Sequence, residues 1–261
     1  MKIISLGAGV QSSTLFLMSC YGEIEKADAA IFADTQDEPK SVYKYLDWLE
    51  SEGRKHGIPV YNVTDGKLSN EFIEKQNGKR KSGIDIPVYV KFEDGSSGIA
   101  GRNCTRAYKL APIRRKAREL MKEAGEKEIE MWIGISTDEI QRMKDSPVKY
   151  IKNRWPLIEL RMTRNDCRSW FNNVGGRQPP RSACVYCPFK KHSEWKQLKK
   201  EEPQEFEKAV EFDKQIRRYH KHSGKEFFVH KAMLPLEEAV MVDDDQAEFG
   251  FLGECEGMCG I

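Results

Sequence analysis

Short apolar runs alternate with longer amphipathic stretches through the first half of this chain. Residues 2–6 (Lys-Ile-Ile-Ser-Leu) read as a buried strand, and Ser13–Cys20, with Leu15, Phe16, Leu17 and Met18, as a helix. Ala29–Ala33 predicts a second strand ending at Asp34-Thr35. Across Lys40–Lys55, Val42, Tyr45, Leu46 and Leu49 fall on one helical face. Pro59–Val63 predicts a third strand. Strand–helix–strand–helix–strand is the pattern of a parallel sheet with crossover helices. Lys67–Glu74 predicts a further helix, after which the rhythm breaks. Residues 75–100 hold a basic turn, Lys79-Arg80-Lys81, and a hairpin from Val88-Tyr89-Val90 to Ile99 around Asp94-Gly95, read as an insertion near the site. Ile113–Ala124 returns to a helix, Ile129–Ile135 to a buried strand, and Pro156–Leu160 predicts one more strand. Asp166–Asn172 begins a helix capped by Asn165 or Asp166.

From Gly175 the pattern changes to Gly-Gly-Arg-Gln-Pro-Pro-Arg and then a cysteine pair. Ser193–Tyr219 is a charged amphipathic helix, or two, interrupted near Pro203. The tail from Asp243 is acidic and then rich in glycine and cysteine. This division predicts an α/β domain over residues 1–163 and a cysteine-rich, helical C-terminal module with its tail over 164–261.

Composition narrows the setting. The 261 residues carry 43 basic and 41 acidic side chains, a net charge of +2, which does not announce a nucleic-acid binder and leaves room for a local basic patch. No apolar run reaches the length of a membrane span, and Met1-Lys2-Ile3-Ile4 runs into glycines rather than a signal-peptide core, so a cytoplasmic protein without membrane contact is expected. Seven cysteines in such a compartment point to metal or redox chemistry rather than a disulfide framework. Cys20 lies in an apolar stretch, and Cys104 and Cys167 in polar, turn-like contexts. His220, His222 and His230 fit no ligand spacing and are assigned to the surface; Trp155, Trp170 and Trp195 are assigned to packing.

The first strand runs through Ser5-Leu6-Gly7-Ala8-Gly9-Val10-Gln11-Ser12-Ser13 into a helix. Such a junction aims backbone N–H groups and the positive end of a helix dipole at an anion, which predicts a phosphate site. Gly7 and Gly9 permit close approach, and Ser12 and Ser13 add hydroxyl donors. No Gly-Lys-Ser/Thr follows, so this is not a Walker A loop. Asp34 and Thr35 end the next strand, where α/β sheets place ligand groups. Arg102, Lys109, Arg142 and Arg164 are candidate anion clamps, because guanidinium forks match phosphate and sulfate oxygens. Asp138 and Glu139 follow a strand and either orient the nucleotide or cap a helix.

The loop resembles the modified P-loop of the adenine-nucleotide alpha-hydrolase-like (PP-loop) superfamily, with Gln11 where the ATP pyrophosphatases have an acidic residue. Gly9-Val10-Gln11-Ser12 is closer to the phosphoadenosine phosphosulfate (PAPS) reductase form. Asp34-Thr35 resembles that family's Asp-Thr-Gly, with Gln36 for glycine. Arg102-Asn103-Cys104-Thr105 with Lys109 and Pro112 is similar to its Cys…Lys…Pro segment. Trp132-Ile133-Gly134-Ile135-Ser136-Thr137-Asp138-Glu139 with Arg142 resembles its Gly-x-Arg-x-(Asp/Glu)-x-x-x-Arg stretch, with Ser136 where arginine is common. Trp155-Pro156-Leu157-Ile158 resembles its Pro-(Leu/Ile) segment, and Met258-Cys259-Gly260-Ile261 its Glu-Cys-Gly tail. The resemblance implies a Rossmann-like fold with adenine-nucleotide contacts at Ser5, Gly7, Gly9, Gln11, Ser12, Ser13, Asp34, Thr35, Arg102, Lys109, Gly134, Asp138, Glu139 and Arg142.

Cys184-Val185-Tyr186-Cys187-Pro188 has the spacing that lets two thiolates reach one metal centre. The adenylyl-sulfate reductases carry a [4Fe–4S] cluster on a Cys-Cys pair, a long gap and a Cys-x-x-Cys; Cys104 fits that layout without its second cysteine. Cys167 is the first candidate for the fourth ligand and Cys255 the second. Zinc, with His192 replacing one cysteine, is the alternative, and uncoordinated thiols in a turn the plainest one. Cys259 is the candidate nucleophile toward sulfur held near the loop, with Cys255 as its companion thiol.

Three functions follow. The first is a PAPS- or adenylyl-sulfate (APS) reductase-like enzyme served by a thioredoxin-like or other sulfur or electron donor. The second is an ATP-dependent iron–sulfur sulfurtransferase acting on tRNA or DNA, for which Lys79-Arg80-Lys81, Lys190-Lys191 and Arg217-Arg218 would supply phosphate contacts. The third is a non-catalytic nucleotide-binding accessory protein.

Overall fold

The computed structural model describes residues 1–76, 86–100, 103–219 and 224–241. They fall into two compact units. The first, the sheet unit, holds residues 1–65 and 105–182; the second holds the described residues among 66–104 and 183–256. The boundary expected at 163/164 is therefore not where the chain divides. Residues 164–182 belong with the sheet, and residues 66–104 belong with the C-terminal half.

The sheet unit is α/β and Rossmann-like. Strands β1 (Lys2–Ser5), β2 (Ala29–Asp34), β3 (Val60–Thr64), β6 (Ile129–Ile133) and β7 (Ile151–Arg154) form one sheet in the order β3-β2-β1-β6-β7. Every pairing in it is parallel, with Ile3 opposite both Ala29 and Met131. Helices α1 (Val10–Tyr21), α2 (Lys40–His56), α4 (Ala111–Glu123), α5 (Pro156–Glu159) and α6 (Arg164–Asn173) complete the unit. Because strand side chains alternate between faces, the sheet carries two cores. Ile4, Ala30, Phe32 and Trp132 pack with α1, α2 and α6 on one face. Ile3, Ala29, Ile31, Met131 and Ile133 pack with Ile113, Ala117 and Leu120 of α4 on the other. The order reverses at β1, between β2 and β6, and such a switch point opens a crevice at the carboxyl ends of the strands.

Three local expectations are corrected. Residues 156–160 do not form a strand: Pro156 starts the short helix α5, where its missing N–H costs nothing, and the fifth strand is Ile151–Arg154. The cap of α6 is Thr163, in a capping box with Asp166, rather than Asn165 or Asp166. Cys167, read as polar and turn-like, is 0% exposed in the core beside Phe171.

The second unit contains α3 (Leu68–Gln76), the antiparallel sheet β5-β4-β8 (Ser97–Ile99, Tyr89–Phe92, Lys225–Phe228), and helices α7 (His192–Glu201), α8 (Pro203–Tyr219) and α9 (Leu236–Ala239). Its aromatic centre stacks Tyr186 on Phe212 at 4.0 Å, with Phe72 on Phe212 at 5.7 Å. Asp213 is buried in α8 and accepts the amides of Val229 and Leu236, each at 3.0 Å, so it fixes the chain that follows β8. His230, assigned to the surface from sequence, is 1% exposed, and its Nε2 lies 3.1 Å from His192 Nδ1. The amide of Ala232 donates to His230 Nδ1, so a neutral His230 carries its proton on Nε2 and donates to His192.

Burial, then the neighbouring His192 and Lys231, lower the His230 pKa to about 4. The unfolded chain binds that proton near the ordinary histidine value, so between roughly pH 6.5 and 4 it holds more protons than the folded chain. The contribution is complete above this window and is lost as the pH falls through it, on the order of 3 kcal/mol in total. Urea denaturation at pH 7.5 and pH 5 should show a drop that His230→Asn flattens. An equal drop in the variant contradicts the assignment.

Candidate functional site

The switch point is built from the loop after β1 and the segment after β6. Beyond β1, Ala8 holds φ 53°, a left-handed value that a residue with a Cβ adopts only when its surroundings impose it. Ser12 secures the turn: its Oγ accepts the Gly7 amide at 3.1 Å and donates to the Gly9 carbonyl at 3.3 Å. Ser12 therefore braces the loop from within, and Ser13 is fully buried, so neither presents the hydroxyl expected from sequence. Gly9 precedes α1 in extended conformation, and no side chain caps the helix. The first-turn amides are the groups that would meet an anion.

Gly134 closes the crevice from the β6 side. A Cβ there would lie 2.7 Å from the Ser12 amide nitrogen, 2.8 Å from Ser12 Cα and 2.9 Å from the Gln11 carbonyl carbon. All three are backbone atoms, so the two chains meet at a distance only glycine permits. Gln11 is buried and its Nε2 donates to Ser136 Oγ at 3.4 Å. Ser136 was absent from the expected site; its position in the Gly134–Glu139 stretch was the available signal.

Glu139 stands between two arginines. Its carboxylate pairs with Arg142, and the Arg164 guanidinium lies 3.8 Å away. Burial raises the Glu139 pKa, against the lowering pull of both arginines and a hydrogen bond from Gln11. Asp138 accepts the Arg164 amide at 3.0 Å, which makes it a partner of the α6 N-terminus. Burial pushes its pKa up, but hydrogen bonds from Ser136 and the Arg164 amide, with the Arg164 charge, hold the net value below the usual range.

At the end of β2, Asp34 Oδ1 accepts the Gln36 amide at 2.7 Å and the Tyr43 hydroxyl at 2.8 Å. Gln36 holds φ 61°, so a left-handed residue stands where the resembling pattern has glycine. Thr35 is fully buried. Lys109, in a wide helical turn over Thr105–Leu110, pairs with Glu38 at 3.3 Å, with both side chains buried. Sequence reasoning missed Glu38 and Tyr43, whose partners lie on other elements. Ser5 is buried at the end of β1. Arg102, Cys255 and Cys259 lie outside the described residues.

In the second unit, Cys184 and Cys187 share one tight turn, closed by the Cys187 amide on the Cys184 carbonyl at 3.0 Å. Val185 and Tyr186 are buried and anchor it, leaving both cysteines half-buried. Two thiols on one anchored turn are a donor set suited to zinc or an iron–sulfur cluster. Cys104, also half-buried, belongs to the same unit. Cys167 belongs to the sheet unit, where it is fully buried and burial raises its thiol pKa to about 11. Among the described residues, no three His, Cys, Asp or Glu side chains form a group able to hold a metal ion. No described helix is long and apolar enough to cross a membrane.

No protein-family model matches this chain, and no curated protein matches it.

Gly134→Ala tests the switch-point contact. The added methyl has only backbone to displace, so a loss of about 1–3 kcal/mol is expected. Denaturant unfolding measures it, and an unchanged variant contradicts the close approach.

Proposed function

We propose that the sheet unit binds an adenine nucleotide at Ser5–Ser13, and that the chain is a PAPS- or APS-reductase-like enzyme of the adenine-nucleotide alpha-hydrolase-like superfamily. The observation that carries this reading is the packing of Gly134 on the first turn of α1 at the sheet's switch point. An uncapped helix terminus set in that crevice is suited to phosphate. Gln11 supplies an amide where ATP-cleaving relatives of the loop have an acid, which favours a sulfated nucleotide over ATP cleavage. Lys109, Arg142 and Arg164, each beside a buried carboxylate, are described cations that would face phosphate and sulfonate oxygens at this end of the sheet.

In this reading the Cys259 thiolate attacks the sulfonate sulfur. An S–S bond forms, the S–O bond to the nucleotide breaks, and an adenosine phosphate leaves. A second thiol, from Cys255 or a thioredoxin-like donor, attacks the Cys259 sulfur. Sulfite leaves with the electron pair of the broken S–S bond, and the two thiols end oxidised as a disulfide. Cys184 and Cys187 would hold the metal centre, with Cys104, Cys167 and Cys255 as the candidates for its remaining positions, Cys255 only where a thioredoxin-like donor supplies the second thiol. When bound, a [4Fe–4S] cluster would supply positive iron and electron storage near sulfur.

The test is sulfite release from APS or PAPS by the anaerobic full chain with a dithiol donor. Release is expected, with a loss of at least about a thousandfold in Cys259→Ser, since the nucleophile forms the covalent intermediate. Nucleic-acid-dependent pyrophosphate release from ATP, with no sulfite, would replace this reading with the sulfurtransferase. Nucleotide binding without turnover would replace it with an accessory protein.

A further inference from the structure

The cysteine turn has a charged neighbour that the proposed reaction leaves without a role. Lys190 lies three residues after Cys187, yet it is only 7% exposed. Its Nζ donates to the Cys184 carbonyl at 3.0 Å and reaches the Ala183 carbonyl at 3.5 Å. It also lies over the Trp195 ring, 5.6 Å from the centroid. The Lys190 amide bonds the Cys187 carbonyl at 3.2 Å, so the residue touches the turn through both its main chain and its side chain. Lysine is among the residues least often buried, because taking an ammonium out of water is costly.

We propose that Lys190 is a positioning residue for a metal centre on Cys184 and Cys187: it fixes the turn that carries both thiolates and places a buried positive charge beside them. The proposal rests on the metal reading given above. Thiolates around zinc or an iron–sulfur cluster leave a net negative charge, and in a partly desolvated site that charge is costly unless a cation is near. The ammonium beneath the turn offsets it. The carbonyl bonds act separately: they hold the backbone of Cys184 in the turn that also carries Cys187.

Anaerobic titration with cobalt(II) alone tests this in the full chain, because the thiolate-to-cobalt absorption band reports ligation directly. Lys190→Met removes both charge and hydrogen bonds and is expected to weaken cobalt(II) binding roughly 10–100-fold, the range for outer-shell partners of metal ligands. Lys190→Gln keeps a donor for the carbonyls without the charge and should fall between the two. For chain reconstituted with iron and sulfide, loss of the cation should move the midpoint potential to more negative values in both variants. Thermal unfolding of the metal-free proteins separates ligation from folding. Wild-type chain that binds cobalt(II) no better than variants that fold overturns the role of Lys190 alone. Wild-type chain that binds no cobalt(II) overturns the metal reading, and the role of Lys190 with it. If neither variant folds, Lys190 is a structural brace and the proposal fails.

Discussion

At Gly134 the main chain leaving β6 comes so close to α1 that a methyl group would sit 2.7 Å from a backbone nitrogen. Much of the sheet unit's candidate site depends on that approach. It sets the segment 134–139 against the first turn of α1, and so brings Ser136 under the Gln11 amide. From there the chain reaches Glu139, and through it Arg142 and Arg164. A larger residue at 134 would separate the two loops that frame the switch point, and the polar network beyond them would lose its footing. The strain at Ala8 and the internal bonding of Ser12 belong to the same constraint, because a loop packed this tightly has to satisfy its own polar groups.

The cations near the site are held by buried carboxylates. Glu38 holds Lys109, and Glu139 holds Arg142 and lies near Arg164. A buried charge without an opposite neighbour is strongly destabilising, so these pairs are part of how the fold keeps positive groups at this end of the sheet. The arrangement suits anionic ligands, because a phosphate or sulfonate would meet cations whose position is already fixed. It also gives Gln11 a clear place: an acid in that slot would add another negative charge beside Glu139.

The sheet was legible because buried parallel strands read as apolar runs and amphipathic helices as faces; Lys2–Ser5, Ala29–Asp34 and Lys40–His56 lie within a residue or two of their sequence limits. Pro156 misled because the five residues Pro156–Leu160, apolar but for Glu159, have no period long enough to separate a strand from one helical turn. Cys167 misled through its polar neighbours Asn165, Asp166 and Arg168, although its spacing to Phe171 is that of a helix face. The strand β8, Lys-Glu-Phe-Phe, is too short to announce itself and exists by pairing with β4. Pairs such as Glu38 with Lys109 or His192 with His230 depend on which elements the fold makes neighbours, and local sequence carries no sign of that. The cysteine turn was legible as a spacing; the lysine built into it was not, because a basic dipeptide after a turn reads as surface.

Strand β1 has consequences for the order in which the chain can fold. One of its edges is filled by β2, with Ile3 beside Ala29, after a single helical crossover. The other waits for β6, where Lys2 pairs with Glu130, and the whole of the 66–104 segment intervenes. During synthesis from the N-terminus, the central strand of the sheet is therefore half-paired until residue 133 has emerged. Its open edge and the apolar side chain of Ile3, which packs with α4 and β6, remain available to other chains for that interval. Long-range pairing of this kind slows folding, so the step that completes the switch-point crevice is also the one that ends the period of greatest exposure to aggregation.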